Sequence, residues 1–382
     1  MVLGALNRTS GAVALDTLSW FGLIGGLVLL AVGSEWLVRG AVRMARGLGV
    51  SALVIGLTVV SWGTSAPELA VSVQSALGGS SELALGNVIG SNIFNVLVIL
   101  GLSAVIIPLV VTWQVVRIEL PLMVGISVGA AVLALDGEVG RWDGALLLGG
   151  MGAYTWWQFR GGVSGPVGAD GGAGNEAVAE PRRRALVRGG AVFVGGLVVM
   201  VLGSRWFVSS AVDLARWLGV GEVVIGLTIV ATGTSLPEVF ASLAAAMKGE
   251  RDLAVGNVVG SNVFNLLAVL GLTAAIGPVP VGPEVLWFDV PLMLLVSLAC
   301  MPIFLTGMMI SRVEGVVFCT VYGVYVWLLI ERQLRPGFAG DGVLVVFGFL
   351  APLAFGTLLG WMLHGRKSGG GGSSGGRACS SG

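Results

Sequence analysis

Histidine is nearly missing: His364 is the only one in 382 residues. The three cysteines, Cys300, Cys319 and Cys379, are too few and too scattered for a disulfide framework or a thiolate metal site. Histidine catalysis and His/Cys metal centres are thereby almost excluded. Charge is scarce as well, at 11% of residues against about 25% in a soluble globular chain. The signs balance, 21 Lys and Arg against 21 Asp and Glu, so there is no basic field to hold nucleic acid. Hydrophobic residues instead make up 55% of the chain, and the mean hydropathy is +0.94. The 63 glycines are spread through apolar runs, as in membrane helices that pack closely. These features imply an all-α polytopic protein of the lipid bilayer.

A membrane span needs roughly 20 mostly apolar residues. Such runs fall at 18–40, 51–77, 83–109, 117–135, 142–160, 186–210, 221–247, 253–277, 287–306, 312–331 and 341–363, eleven in all. Residues 161–185 are Gly-rich, then acidic, then triply basic, and read as a flexible linker. The Gly/Ser-rich tail, 367–382, is expected to lie outside the fold. No cleaved signal peptide is expected, because the segment before Ser19 has one Arg8 and no clean apolar region with a cleavage site. With the loops placed alternately on two sides, one side collects fifteen Lys and Arg residues and the other six. The positive-inside bias then puts the N-terminus outside, with the linker and C-terminus in the cytoplasm of a plasma (inner) membrane.

The chain is also duplicated. IGLTVVSWGTSAPE at 55–68 matches IGLTIVATGTSLPE at 225–238 in ten of fourteen positions. GNVIGSNIFN at 86–95 matches GNVVGSNVFN at 256–265 in eight of ten. The offset of 170 holds without a gap from Gly33/Gly203 to Gly101/Gly271. The chain then divides into a first five-helix half (1–160), the linker (161–185), a second half (186–335), an eleventh helix (336–366) and the tail. Five spans per half is an odd number, so the second half enters the membrane upside down. Inverted repeats of this kind are common in secondary transporters, whose site lies at the repeat interface near mid-membrane.

Glu68 and Glu238 lie deep in the second and seventh spans. A carboxylate there costs several kcal/mol, and neither motif holds a basic partner. A bound cation or a proton is left to offset that cost; the plain alternative is a protonated Glu bonding between helices. Pro67 and Pro237 each clash with a carbonyl four residues back, Gly63 or Gly233, which predicts broken helices with freed carbonyls. Thr64 and Thr234 offer backbone carbonyls there, and Ser65 and Ser235 offer hydroxyls. Asn87, Ser91 and Asn95 share one helical face, as do Asn257, Ser261 and Asn265. Asn87, Asn92, Asn257 and Asn262 read equally well as helix glue. The pairs Gly86/Gly90 and Gly256/Gly260 let helices approach closely. Glu82 and Asp252 correspond at a loop edge and read as solvated charges. The inventory is oxygen only, which suits hard cations such as Ca²⁺. Ions that share these oxygens exclude one another, which is what couples two fluxes in an exchanger.

Two copies of G-T-S-x-P-E, each followed by G-N-x-x-G-S-N-x-x-N, resemble the paired α-repeats of the cation/calcium exchanger superfamily, in its sodium/calcium exchanger branch. The resemblance covers roughly 33–108 and 203–278. It implies ten core helices in inverted halves and a cluster of cation sites between the second, third, seventh and eighth spans. It implies electrogenic exchange of Na⁺ for Ca²⁺ by alternating access, with the first and sixth spans sliding against the rest. Ca²⁺ and Na⁺ are then substrates; no cofactor, enzymatic activity or protein partner is implied. Carried over by position, the ligands are Thr64, Ser65, Glu68, Ser91 and Asn95, with Thr234, Ser235, Glu238, Ser261 and Asn265. Ser61 and Ala231 fall where the family uses a backbone carbonyl. Asn265 stands where potassium-dependent members carry Asp, and Gly90 where proton-coupled members carry an acid. Trp62, opposite Thr232 in the second copy, has no counterpart. The linker is too short for a large Ca²⁺-sensing domain. The rivals are Ca²⁺/H⁺ exchange through the same two glutamates, a cation channel, and a scaffold without transport.

Overall fold

The computed structural model describes residues 2–161, 181–221, 225, 228–229 and 231–334. The span expected at 341–363, the tail and most of the linker lie outside the described residues. What is described is mostly helical. The helices are α1 (Val2–Leu48), α2 (Ala52–Thr64), α3 (Ala66–Leu77), α4 (Ser81–Ile106), α5 (Val115–Leu133) and α6 (Arg141–Gly161). They continue with α7 (Arg182–Trp217), α8 (Leu236–Met247), α9 (Arg251–Ile276), α10 (Val290–Gly307) and α11 (Arg312–Leu334). Six of them are long and apolar enough to cross a membrane, or seven if the bent α2–α3 pair is one span.

Local chemistry sets the ends. The first span, expected at 18–40, belongs to a helix that runs on to Leu48 because nothing interrupts it before Gly49, at φ 72°. Gly219, at φ 79°, ends α7 in the same way, and Gly79 (φ 77°) and Gly249 (φ 80°) follow α3 and α8. Only glycine adopts this left-handed backbone without strain, which makes it the usual helix stop. Arg182–Ala185, read from sequence as linker, form the first turn of α7 behind Pro181, whose fixed φ of −52° suits a helix start.

α4 and α9 form the centre and are the most enclosed of the long helices. Every residue of α9 from Leu253 to Phe264 is buried. The outer helices then pack crosswise. α6 lies on the C-terminal part of α9, with Gly144 against the Gly271 carbonyl, and α11 lies on that of α4, with Gly315 against the Gly101 carbonyl. Two short antiparallel ladders tie the loops: β1 (Leu109–Val110) with β4 (Met309–Ile310), and β2 (Glu138–Val139) with β3 (Val279–Pro280). Gly256 and Gly260 pack on α2, where an added Cβ would lie 2.9 Å from the Leu53 carbonyl and 2.5 Å from that of Leu57. The matching glycines, Gly86 and Gly90, meet nothing within 4 Å among the described residues, which do not include 223 and 227, the equivalents of Leu53 and Leu57.

The most extensive contact joins α1 to α7, which run antiparallel. Gly26, Gly33 and Gly40 meet Gly203, Gly196 and Gly189 along one seam. Seven-residue spacing keeps these positions on one face of each helix, and the missing side chains let the backbones touch. A Cβ at Gly196 would lie 2.5 Å from the Leu37 backbone nitrogen, whereas one at the adjacent Gly195 meets nothing within 4 Å. Gly196→Ala is therefore expected to cost about 1–3 kcal/mol through overpacking, while Gly195→Ala is neutral. Thermal unfolding of the detergent-solubilised protein measures both.

Candidate cation-binding site

The chain breaks where the prolines predict. α2 and α3 meet at Ser65 with a bend of 45°, and α3 restarts with Pro67 in its first turn. Ser65 has φ −83° and ψ 9°; Ser235, ahead of α8 and Pro237, has φ −87° and ψ 5°. The two breaks thus adopt the same backbone at their serines. Each break puts a glutamate, Glu68 or Glu238, in the first turn of a restarted helix. Unpaired N–H groups and the positive end of the helix dipole favour a carboxylate there.

The two breaks are bonded to each other. Ser65 Oγ donates to Glu238 Oε1 at 2.8 Å, and Ser235 Oγ donates to Glu68 Oε1 at 2.9 Å. Ser235 Oγ also lies 3.5 Å from Ser91 Oγ on α4. Each copy of the motif therefore steadies the other copy's acid. Behind them, Asn87 Nδ2 donates to Ser72 Oγ (3.0 Å) and the Glu68 carbonyl (3.2 Å), and Asn257 Nδ2 to Ser242 Oγ (2.9 Å) and the Glu238 carbonyl (3.5 Å). These asparagines hold α3 to α4 and α8 to α9. At the next turn, Asn95 Nδ2 donates to Asn262 Oδ1 at 3.0 Å, and Asn265 Nδ2 to Asn92 Oδ1 at 3.2 Å. Asn95 and Asn265 also begin π-helical turns, Asn95–Leu100 and Asn265–Val269, the kind of widening that recurs at functional sites.

The atoms left over are oxygens. Among the described residues, Glu68 Oε2, Glu238 Oε2, Asn95 Oδ1, Asn265 Oδ1, Ser261 Oγ and Thr234 Oγ1 are buried with no partner in hydrogen-bonding geometry. Glu68 and Glu238 are each 1% exposed. A buried polar atom left unpaired costs about 1–3 kcal/mol, and more when charged. Buried polar atoms are ordinarily paired, so a group of them in adjoining turns stands out. Among the described residues no three His, Cys, Asp or Glu side chains cluster.

Of the ten residues singled out from sequence, nine are buried and Thr234 is half-buried. Hydrogen bonds join Ser65 to Glu238 in one set and Glu68, Ser235 and Ser91 in another, each set spanning both copies of the motif. Asn95 and Asn265 join the adjacent amide group. The Thr64 hydroxyl lies within reach of Asn257 Oδ1 (3.2 Å) and the Ser61 carbonyl (3.4 Å). The carbonyl freed at Gly233 accepts from Ser204 Oγ on α7 at 2.8 Å, whereas Ser34, its mate on α1, donates to its own Ala31 carbonyl at 2.9 Å. Trp62 packs against Phe264 with the rings tilted by 34° and centroids 6.0 Å apart. Glu82 is exposed, while Asp252 is half-buried.

A second pair of acids escaped sequence reasoning. Glu119 is 1% exposed and accepts from Gln158 Nε2 at 2.7 Å and Gln114 Nε2 at 3.2 Å. Asp289, 170 residues on, accepts from the Tyr325 hydroxyl at 3.0 Å. The sulfur atoms of Met123 and Met293 also receive the amides of Asn262 (3.6 Å) and Asn92 (3.7 Å). Following the same offset past Gly101 to Ser127/Ser297 would have found all four residues.

Residues 18–160 and 189–331 match the family model described as "Sodium/calcium exchanger protein". The chain belongs to the sodium/calcium exchanger family. Its relatives are membrane ion exchangers, not enzymes. This exchanger is 37% identical to "Inner membrane protein YrbG" of Escherichia coli K12, over 87% of its own length and 94% of that protein's. It is 32% identical to "Sodium/calcium exchanger MaX1" of Methanosarcina acetivorans, over 82% and 99%. It also resembles the solved structure of the sodium-calcium exchanger NCX_Mj, with a TM-score of 0.70 at 30% identity, covering 84% of this chain and 100% of that one.

Removing either cross-repeat donor leaves a buried carboxylate oxygen bare. Ser65→Ala and Ser235→Ala are each expected to lower the stability of the exchanger by about 1–3 kcal/mol, read as earlier thermal unfolding in detergent.

Proposed function

We propose that this exchanger is a secondary antiporter that moves Ca²⁺ against Na⁺ by alternating access. The observation that carries this reading is the set of six unpartnered oxygens, drawn from both copies of the motif and including one from each glutamate. Ca²⁺ takes six to eight oxygen ligands and Na⁺ prefers the same hard donors. Two carboxylates balance one divalent ion, or monovalent ions that use overlapping oxygens. Whichever ion is bound, the other is excluded. The proposed ligands are Thr64, Ser65, Glu68, Ser91 and Asn95 with Thr234, Ser235, Glu238, Ser261 and Asn265, the threonines through their carbonyls.

The proposed architecture is ten core helices in two inverted five-helix repeats with an eleventh added. The N-terminus is outside, and the linker and C-terminus are cytoplasmic, at a plasma (inner) membrane. The matching ladders, helix stops and crossed packing at mated positions support the repeat. Sliding of α1 and α7 as one body is supported by their glycine seam. The two halves also contact that body unequally. α1 rests on α8, and Lys248 Nζ on the α8–α9 turn lies 2.6 Å from Glu35 Oε1 of α1. The mates of those two residues are Gly78 and Arg205, which cannot form such a bridge. Unequal contacts of this sort are what one of two access states requires.

Purified protein in liposomes is expected to accumulate radiolabelled Ca²⁺ when an outward Na⁺ gradient is imposed with pH clamped. Uptake that ignores Na⁺ and follows a pH gradient would reassign the counter-ion to H⁺. Glu68→Gln and Glu238→Gln should each reduce uptake to background while thermal unfolding shows a folded protein; an active double variant would refute the site. Asn265→Asp adds a charge to the ligand set and is expected to change the Na⁺ and Ca²⁺ dependence of the same uptake.

A further inference from the structure

Away from the glutamates, where α1 ends and α7 begins, lies a cavity of about 780 Å³. The last turns of α1, the first turn of α7 and the α8–α9 turn form its walls. Five cations line it, Arg39, Arg43, Arg46, Arg182 and Lys248, against one acid, Glu250. Glu35 stands beside it, bonded to Arg39 at 2.5 Å and Lys248 at 2.6 Å. Among the described residues, five cations less Glu250 and Glu35 leave three positive charges in excess. Arg43 and Arg46 are exposed and have no ion-pair partner among the described residues.

The geometry is prepared for an anion. Arg182 Nε donates to the Gly47 carbonyl at 2.9 Å and its Nη2 to the Leu48 carbonyl at 3.5 Å. It thereby covers the carbonyl end of α1, whose partial negative charge would otherwise repel an anion. The rest of the lining is apolar, with Val38, Val42, Leu48 and Ala185. A small inorganic anion has no use for that surface, whereas the glycerol and first acyl carbons of a phospholipid do. Basic cavities between membrane helices suit acidic headgroups for this reason.

We propose that this cavity binds a phosphate-bearing anion, with the headgroup of an acidic phospholipid as its occupant. The phosphate sits among Arg43, Arg46 and Arg182 and competes with Glu35 for Lys248. It joins α1, α7 and the α8–α9 turn at one point, so that occupancy ties the α1–α7 pair to the remainder.

The test is a binding measurement and is independent of transport. Full-length protein in detergent is offered phosphatidylglycerol, phosphatidylcholine or inorganic phosphate, and is read by native mass spectrometry and thermal unfolding. Phosphatidylglycerol is expected to stay bound under conditions that strip phosphatidylcholine, and to raise the unfolding temperature. In R43Q/R46Q its retention should fall on the order of tenfold, with the lipid-free unfolding temperature unchanged, and R43K/R46K should restore it. Displacement of the lipid by inorganic phosphate would support the anion site and name soluble phosphate as a second occupant. Equal retention of the two lipids, or full retention by R43Q/R46Q, overturns the proposal.

Discussion

The structure depends on two carboxylates that, among the described residues, have no cation of the protein's own beside them. Glu68 and Glu238 are enclosed where two broken helices meet, and each is steadied by a serine from the opposite copy of the motif. Neither half completes this arrangement alone. The bonds satisfy one oxygen of each acid and, among the described residues, leave the other without a partner, open to the cation proposed above. Stability and binding therefore compete at the same atoms: further donors would quiet the charge, but they would also occupy the ligand's place.

Around this centre the fold is built from close approach. Glycines press α9 onto α2, α6 onto α9 and α11 onto α4, and they bring α1 and α7 into backbone contact. In a bilayer the lipid is as apolar as the side chains, so packing and hydrogen bonds have to supply the specificity. Buried amides do the rest. Asn87 and Asn257 fasten each restarted helix to its neighbour, while Asn92, Asn95, Asn262 and Asn265 bond across the centre from one half to the other.

Much of this could be read in the chain. The breaks before α3 and α8 followed from a proline that has no N–H to donate to the carbonyl four residues back and clashes with it. The twinned acids stood out because no basic residue accompanies them. Partners were hidden, since a linear pattern does not say which serine faces which glutamate. Trp62 had no local explanation because its neighbour, Phe264, lies on α9 of the other half. Glu119 and Asp289 were missed for a different reason. Identity between the halves thins beyond Gly101 and Gly271, although the offset of 170 runs on to Ser127 and Ser297; past them one residue is inserted, so that Arg141 and Asp143 match Arg312 and Glu314. Each of those acids bonds the backbone at its helix start, Asp143 at Gly140 and Glu314 at Ser311, which shows that the shifted register is structural.

The seam between α1 and α7 carries a history as well as a packing rule. Gly26 meets Gly203, and Gly33 meets Gly196; shifting either pair by the offset between the halves returns the other. A surface that pairs with itself in this way is isologous, the hallmark of two identical subunits related by a two-fold axis. Each half already carries its own side of the seam, so a single half-length ancestor could have closed the same contact with a second copy of itself before the genes were joined.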